Sequence, residues 1–396
     1  MPGRVRIVAA SDAFKDCLTG AEACAAAARG VRAAHPHAEI IERPLSDGGA
    51  GFVEALCAGG SHRWVARRVC GPLGEPVDAG FALHAGPDSA SAVVQLSDAA
   101  GLALIPRSER NPEQTTTFGV GELIGAAIEA GAREVLLGIG NSATCDAGAG
   151  LLAALGARFL DDHGAPIERP TGADLIRIAR IDASPLAARA AGVRFTVACD
   201  VSNPLFGPSG SARVFAPQKG ADPAQVERLD AGLRNFARRA AEAGATFAPE
   251  TPGAGAAGGV SFGLASFCAA ALRPGAELVL DALGFDELLK GASLLITGEG
   301  RFDATSLSGK AAFAAGMRAR RAGVPAIALV GATGQGWEAG LTSRAGPFER
   351  IVPITPAGMP YEDALRAASR LLEEAAARVV SPGGAPGPGP SRIADR

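Results

Sequence analysis

Several residue types and motifs are scarce or missing in this 396-residue chain, and each absence excludes something. Its seven cysteines (17, 24, 57, 70, 145, 199 and 268) form no CxxC pair and no Cys/His pairing, so neither a zinc site nor a disulfide framework is expected. Aromatics make up 5% of the residues, with one Tyr and two Trp, which leaves few rings for stacking on bases. Charge of one sign is also lacking: 38 Lys and Arg against 41 Asp and Glu give a net charge of -3. That balance provides no basic field for a nucleic-acid backbone or an anionic membrane. No apolar run approaches the roughly 20 residues of a membrane span, and MPGRVRIVAA at the start has no signal-peptide core. The expected address is the cytoplasm. A Walker loop is missing too, because Gly309-Lys310 is followed by Ala311 and Ala304 stands where the first Gly would fall. The five His fall into no Ser-His-Asp arrangement.

What remains is an ordinary globular composition, 47% hydrophobic and 20% charged, in which Ala and Gly fill much of the space that aromatics usually take. At roughly 150 residues per domain the length predicts two domains. Five apolar runs each end in a small-residue loop before a helical stretch: VRIVAA, EIIERPL, REVLLGI, SLLITG and PAIALV. Thr19 and Glu22 form a capping box that fixes the start of the first helix. Strands alternating with helices predict an α/β fold, a Rossmann-like parallel-sheet domain with a second α/β domain inserted. The first domain is expected over 1–60, 106–155 and 285–380, and the insert, richer in Pro, over 61–105 and 156–284. Residues 381–396, SPGGAPGPGPSRIADR, have almost nothing to bury and are expected to be a disordered tail.

Ligands of an open parallel sheet bind beyond the carboxyl ends of the strands, so the chemistry belongs in those loops. Asp12 and Lys15 follow the first strand and Asp47 the second. Ser142, Thr144 and Asp146 follow a third, and Glu299, Arg301, Asp303 and Lys310 a fourth. These are the groups phosphoryl transfer calls for: acids for Mg²⁺, donors for phosphates, and a group to orient or deprotonate the attacking hydroxyl. For Asp146, a helix cap and a catalytic role are equally open. GNSATCDAGAG suits close backbone approach to an anion, or simply a tight turn.

A competing signal is GxGxxG at Gly253, Gly255 and Gly258, with Glu277 near the position of a ribose-binding acid. The segment before it, TFAPETP, carries two prolines and makes a poor central strand, so a dinucleotide site is not preferred. In residues 199–221, Asp200, Asn203 and Lys219 place an acid, an amide and a lysine in one loop, though the first two also suit a turn.

In order along the chain, SDAFKDCLTG (11–20), LSDGGAG (45–51), NPEQTTTFGVGELI (111–124), GIGNSATCDAGAG (138–150), CDVSNPLFGPSGSARVFAPQKGA (199–221), PGAGAAGG (252–259) and TGEGRFDATSLSGK (297–310) resemble the motifs of the bacterial glycerate kinase family. The resemblance runs from the first strand to about residue 375. It implies an ATP- and Mg²⁺-dependent kinase acting on glycerate, with the 2-hydroxyl as acceptor and an active site between a Rossmann-like and a second α/β domain. Carried over position by position, it assigns catalysis to Lys15, Asp200 and Asp303, with the two aspartates also expected to bind the metal. Substrate contacts are expected at Asp12, Asp47, Asn203 and Lys219, and nucleotide contacts at Ser142, Thr144, Asp146, Glu299 and Lys310; Arg110, outside that carry-over, is expected at the substrate as a positive side chain for the glycerate carboxylate. Which aspartate is base and which binds metal is left open, as is assembly into a homo-oligomer. No nucleic-acid or membrane partner is implied. Departures from the family pattern are Ala50 for an acid, Asp16 and Asn141 for glycines, Cys145 for an asparagine and Thr305 for a glutamine. They keep two alternatives in view: a kinase for another small hydroxy acid, and a binding homologue with impaired catalysis.

Overall fold

The computed structural model describes residues 5–49, 51–58, 60, 62–85 and 90–381. Ala50, and the expected tail apart from Ser381, lie outside the described residues. In chain order the strands are β1 (Arg6–Ser11), β2 (Glu39–Glu42), β3 (His62–Cys70), β4 (Pro76–Ala85), β5 (Ala90–Gln95), β6 (Ala132–Gly138), β7 (Arg158–Leu160), β8 (Arg180–Asp182), β9 (Arg194–Ala198), β10 (Ala271–Arg273), β11 (Leu294–Phe302), β12 (Ala326–Thr333) and β13 (Arg350–Pro353). The chain divides into two compact units, one of residues 1–47, 54–59 and 274–396, the other of 48–53 and 60–273.

The first unit holds a five-stranded sheet in the order β13-β12-β11-β1-β2, with every pair parallel. Successive side chains of a strand face opposite sides, and β1 obeys this in detail. Ile7 and Ala9 enter a core with Ala23, Ala27, Val31, Leu371 and Leu372. Val8 and Ala10 enter another with Ala311, Ala315, Ala319, Leu280 and Phe285. Helices therefore cover both faces, as a parallel sheet requires. The helix Gly20–Ala34 begins with the predicted capping box: Thr19 accepts from the Glu22 amide at 3.2 Å, and the Glu22 carboxylate accepts from the Thr19 amide at 2.8 Å. It packs on helix Tyr361–Val380 so closely that a Cβ on Gly30 would lie 2.0 Å from the Glu373 carbonyl oxygen.

The second unit holds a mixed sheet in the order β10-β9-β6-β5-β4-β3. The pairs β3/β4 and β4/β5 are antiparallel, and the remaining pairs are parallel. The run REVLLGI, expected among the strands of the first sheet, is β6 and pairs here with β5 and β9. Its apolar pattern specifies a strand but not its neighbours. The crossover through helix Phe118–Glu129 brings it back beside the strand that precedes it, the commonest outcome for consecutive strands.

Candidate active site

In the first unit, parallel pairing brings the carboxyl ends of β1, β2 and β11 to one edge. The Asp12 amide donates to the Gly298 carbonyl at 2.9 Å, which fixes the first loop against β11. Asp12, Asp47, Glu299 and Lys310 act on one another there. Burial pushes the Asp12 carboxyl up to about 8, the negative charges of Asp47 and Glu299 push the same way, and the Ala13 amide and Lys310 oppose them. Glu299 is 6% exposed and is raised to about 7, chiefly by burial. Lys310 lies 3.9 Å from its Oε2, while its Oε1 is buried without a hydrogen-bond partner.

Asp303, in the same loop cluster, is differently placed. Its Oδ1 accepts from the Thr305 amide at 2.9 Å and hydroxyl at 2.7 Å, and its Oδ2 lies 3.3 Å from Arg301 Nε. Burial works to raise this carboxyl, but the Thr305 hydrogen bonds and the charges of Lys310 and Arg301 hold it below its ordinary value. Lys15 is exposed in the loop that carries Asp12.

In the second unit, the loop after β6 is built around two buried groups. Asp146 is fully enclosed. Its oxygens accept from the Thr117 amide (2.8 Å) and hydroxyl (2.7 Å) and from the amides of Gly148 (3.1 Å) and Gly150 (3.3 Å). Here Asp146 serves as a double cap, joining the start of helix Phe118–Glu129 to that of helix Ala149–Ala154. Burial raises its carboxyl against these donors. Lys219 is 4% exposed, and its ammonium donates to neutral oxygens, the Thr144 carbonyl at 2.7 Å and Ser142 Oγ at 3.4 Å. Burial lowers it to about 8. The Ser142 and Thr144 hydroxyls bond each other at 3.0 Å, and Gly220, beside the lysine, packs against the Arg110 backbone. Loop 140–148, Lys219 and Arg110 thus gather in one neighbourhood.

Asp200 is exposed after β9, and Asn203 Nδ2 donates to the Ser209 carbonyl at 2.8 Å, inside its own loop.

PGAGAAGG has a structural task. Ala257, Gly258 and Gly259 are all left-handed, with φ of 51°, 72° and 91°. The Gly258 carbonyl accepts from the Ala147 amide at 2.9 Å, and a Cβ on Gly258 would sit 2.1 Å from the Thr144 carbonyl oxygen. The glycines let this segment lie directly against loop 140–148. Glu277, the acid of the competing dinucleotide pattern, is held by Arg318 at 2.5 Å.

Among the described residues, no three His, Cys, Asp or Glu side chains are grouped to cage a metal ion. Mg²⁺ seldom needs such a cage; it takes one or two carboxylates and completes its shell with water and phosphate oxygens. Asp12, Asp47 and Glu299 fit that habit, because negative charge is in excess among them and Glu299 Oε1 has no partner.

Acids and a lysine on the strand-end loops of a parallel sheet, without a Walker loop, define an α/β kinase for a small molecule. The profile of the Glycerate kinase family matches residues 7–382, and the chain belongs to that family. A glycerate kinase of Bacillus subtilis (strain 168) is 40% identical over 378 residues, 95% of this chain and 97% of the relative. A glycerate 2-kinase of Escherichia coli (strain K12) is 40% identical over 331 residues, 83% of this chain and 85% of the relative. A crystal structure assigned to glycerate kinase 2 of Salmonella typhimurium LT2 superposes with a TM-score of 0.84 at 38% identity, covering 95% of this chain and 97% of that one.

Proposed function

We propose that this chain transfers the γ-phosphate of ATP to D-glycerate at the 2-hydroxyl, giving 2-phosphoglycerate and ADP. The observation that carries the reading is the carboxylate cluster of Asp12, Asp47 and Glu299 beside Lys310, set on strand ends in a chain of this family. A general base works best with its pKa near the operating pH. Asp12, the carboxyl that burial raises furthest in the metal-free cluster, is the group we assign to accept the hydroxyl proton. Asp47 and Glu299 are the groups suited to hold Mg²⁺, which when bound neutralises charge on the phosphate oxygens. Asp303, with Thr305 and Arg301 on its oxygens, positions the 299–310 loop that supplies Lys310. Exposed Lys15 is free to meet the transferred group.

In the second unit, Lys219 holds the Ser142–Thr144 loop in shape, and Arg110, whose guanidinium donates to the Ile105 and Leu102 carbonyls at 3.3 Å, supplies a cation for the glycerate carboxylate. Clamping that carboxylate fixes the adjacent 2-hydroxyl more tightly than the freely rotating 3-hydroxyl, which favours attack from the 2-position. Asp200 and Asn203 complete the expected set from the loop after β9.

Coupled ADP release across a panel of hydroxy acids tests the reading, with turnover expected for D-glycerate and Mg²⁺. No turnover with glycerate overturns it. Phosphorus NMR of the product, taken before any mutase is added, decides the acceptor: a 3-phosphoglycerate spectrum refutes the 2-hydroxyl and leaves the kinase.

A further inference from the structure

The open end of the β3–β4 hairpin carries two histidines in register. His62 and His84 face each other across the antiparallel ladder, with ring centres 4.9 Å apart and planes tilted by 38°. Both Nδ1 atoms are buried, and neither has a hydrogen-bond partner. A ring nitrogen shut away from water with nothing to bond costs free energy, and native structures rarely leave such atoms unused. The backbone passes close beside the pair: a Cβ on Gly60 would come 3.2 Å from His62 Nδ1 and 3.3 Å from its Cε1, so glycine there spares the ring a tight contact.

We propose that His62 and His84 bind one divalent transition-metal ion of the zinc, nickel or copper class, each through one imidazole nitrogen. Imidazole suits these ions, whereas hard Mg²⁺ prefers oxygen, so the pair and the carboxylate cluster select different metals. With metal–nitrogen bonds of about 2.0–2.1 Å, two imidazoles sharing an ion hold their ring centres roughly 4.5–5.5 Å apart, a range that contains the observed separation. The ligand form is the neutral imidazole, and burial, together with the neighbouring His84, lowers the pKa of His62, which favours that form. Among the described residues no third His, Cys, Asp or Glu joins the pair. The ion ties β3, the edge strand of its sheet, to β4 at the end opposite the connecting turn.

The test is Ni²⁺ titration of the full-length protein in excess Mg²⁺, which keeps the carboxylates occupied. Histidine side-chain signals are followed by NMR and affinity by calorimetry. Paramagnetic broadening should reach His62 and His84 at substoichiometric Ni²⁺, before His35, His37 and His163. His62→Gln and His84→Gln should each weaken Ni²⁺ binding at least tenfold with unchanged circular dichroism. Uniform broadening of all five histidines overturns the site, as does wild-type affinity in both variants. Should a variant fail to fold, the wild-type NMR titration alone still decides.

Discussion

At Asp12 and Glu299, burial and like charge act in the same direction, and the sign of the result can be measured. Both carboxyls rise on folding, from 3.8 to about 8 and from 4.5 to about 7. Between those limits the native state holds protons that the unfolded chain has released, so stability falls as pH rises through this window. The melting temperature of the metal-free protein is therefore expected to fall from pH 5 to pH 8. Asp12→Asn should flatten that fall, raise the melting temperature at pH 8 and lower kcat by about a hundredfold or more. Calorimetry and ADP release check the two halves; a variant that keeps wild-type kcat removes Asp12 from the chemistry. Asp146 behaves oppositely. Asp146→Ala strands the amides of Thr117, Gly148 and Gly150 inside the protein, at about 1–3 kcal/mol for each lost partner, and a large drop in melting temperature is expected. Sequence alone left a helix cap and a catalytic role equally open for this residue because both call for the same acid before a helix; the enclosed donors support the cap. Two departures from the family pattern are conformationally mild. Asp16 and Asn141, standing for glycines, have φ of 67° and 58°, and Asn and Asp are the residues that best tolerate that region.

Among elements, what was legible followed from periodicity. Apolar runs gave β1, β2, β6, β11 and β12, and the capping box gave the start of the first helix, because each is a local pattern. Sheet membership is not local, which is why β6 was expected in the wrong sheet. The glycine-rich stretch 252–259 gave two readings for a related reason, and the packing one, preferred on its poor preceding strand, is the one observed: a glycine needed for backbone contact looks the same whether the contact is a pyrophosphate or another loop. Its partner is loop 140–148, and the dependence is sharp. Gly258→Ala combines a left-handed φ of 72° with a Cβ 2.1 Å from the Thr144 oxygen, so a loss of about 2 kcal/mol or more is expected. Glycerate turnover should fall with it, as the Ser142–Thr144 segment shifts. Urea denaturation and steady-state kinetics read both effects, and a variant of wild-type stability would show the close approach to be slack.

The whole molecule is interleaved, one unit being nearly continuous in sequence and the other assembled from distant stretches. A fragment of residues 48–273 is expected to melt cooperatively by circular dichroism, whereas residues 1–59 alone should show no transition; a non-cooperative 48–273 would refute its independence. The position of β1 between β2 and β11 also sets a timetable for synthesis in the cell. The β11 partner of Ser11 is Gly298, and at about 5–20 residues per second the ribosome needs roughly 15–60 s to travel between them. Through that interval Ile7 and Val8 have one neighbouring strand available out of two, and helix Gly20–Ala34 waits longer still for helix Tyr361–Val380. Strand β1 thus waits for its second neighbour while residues 48–273 leave the ribosome.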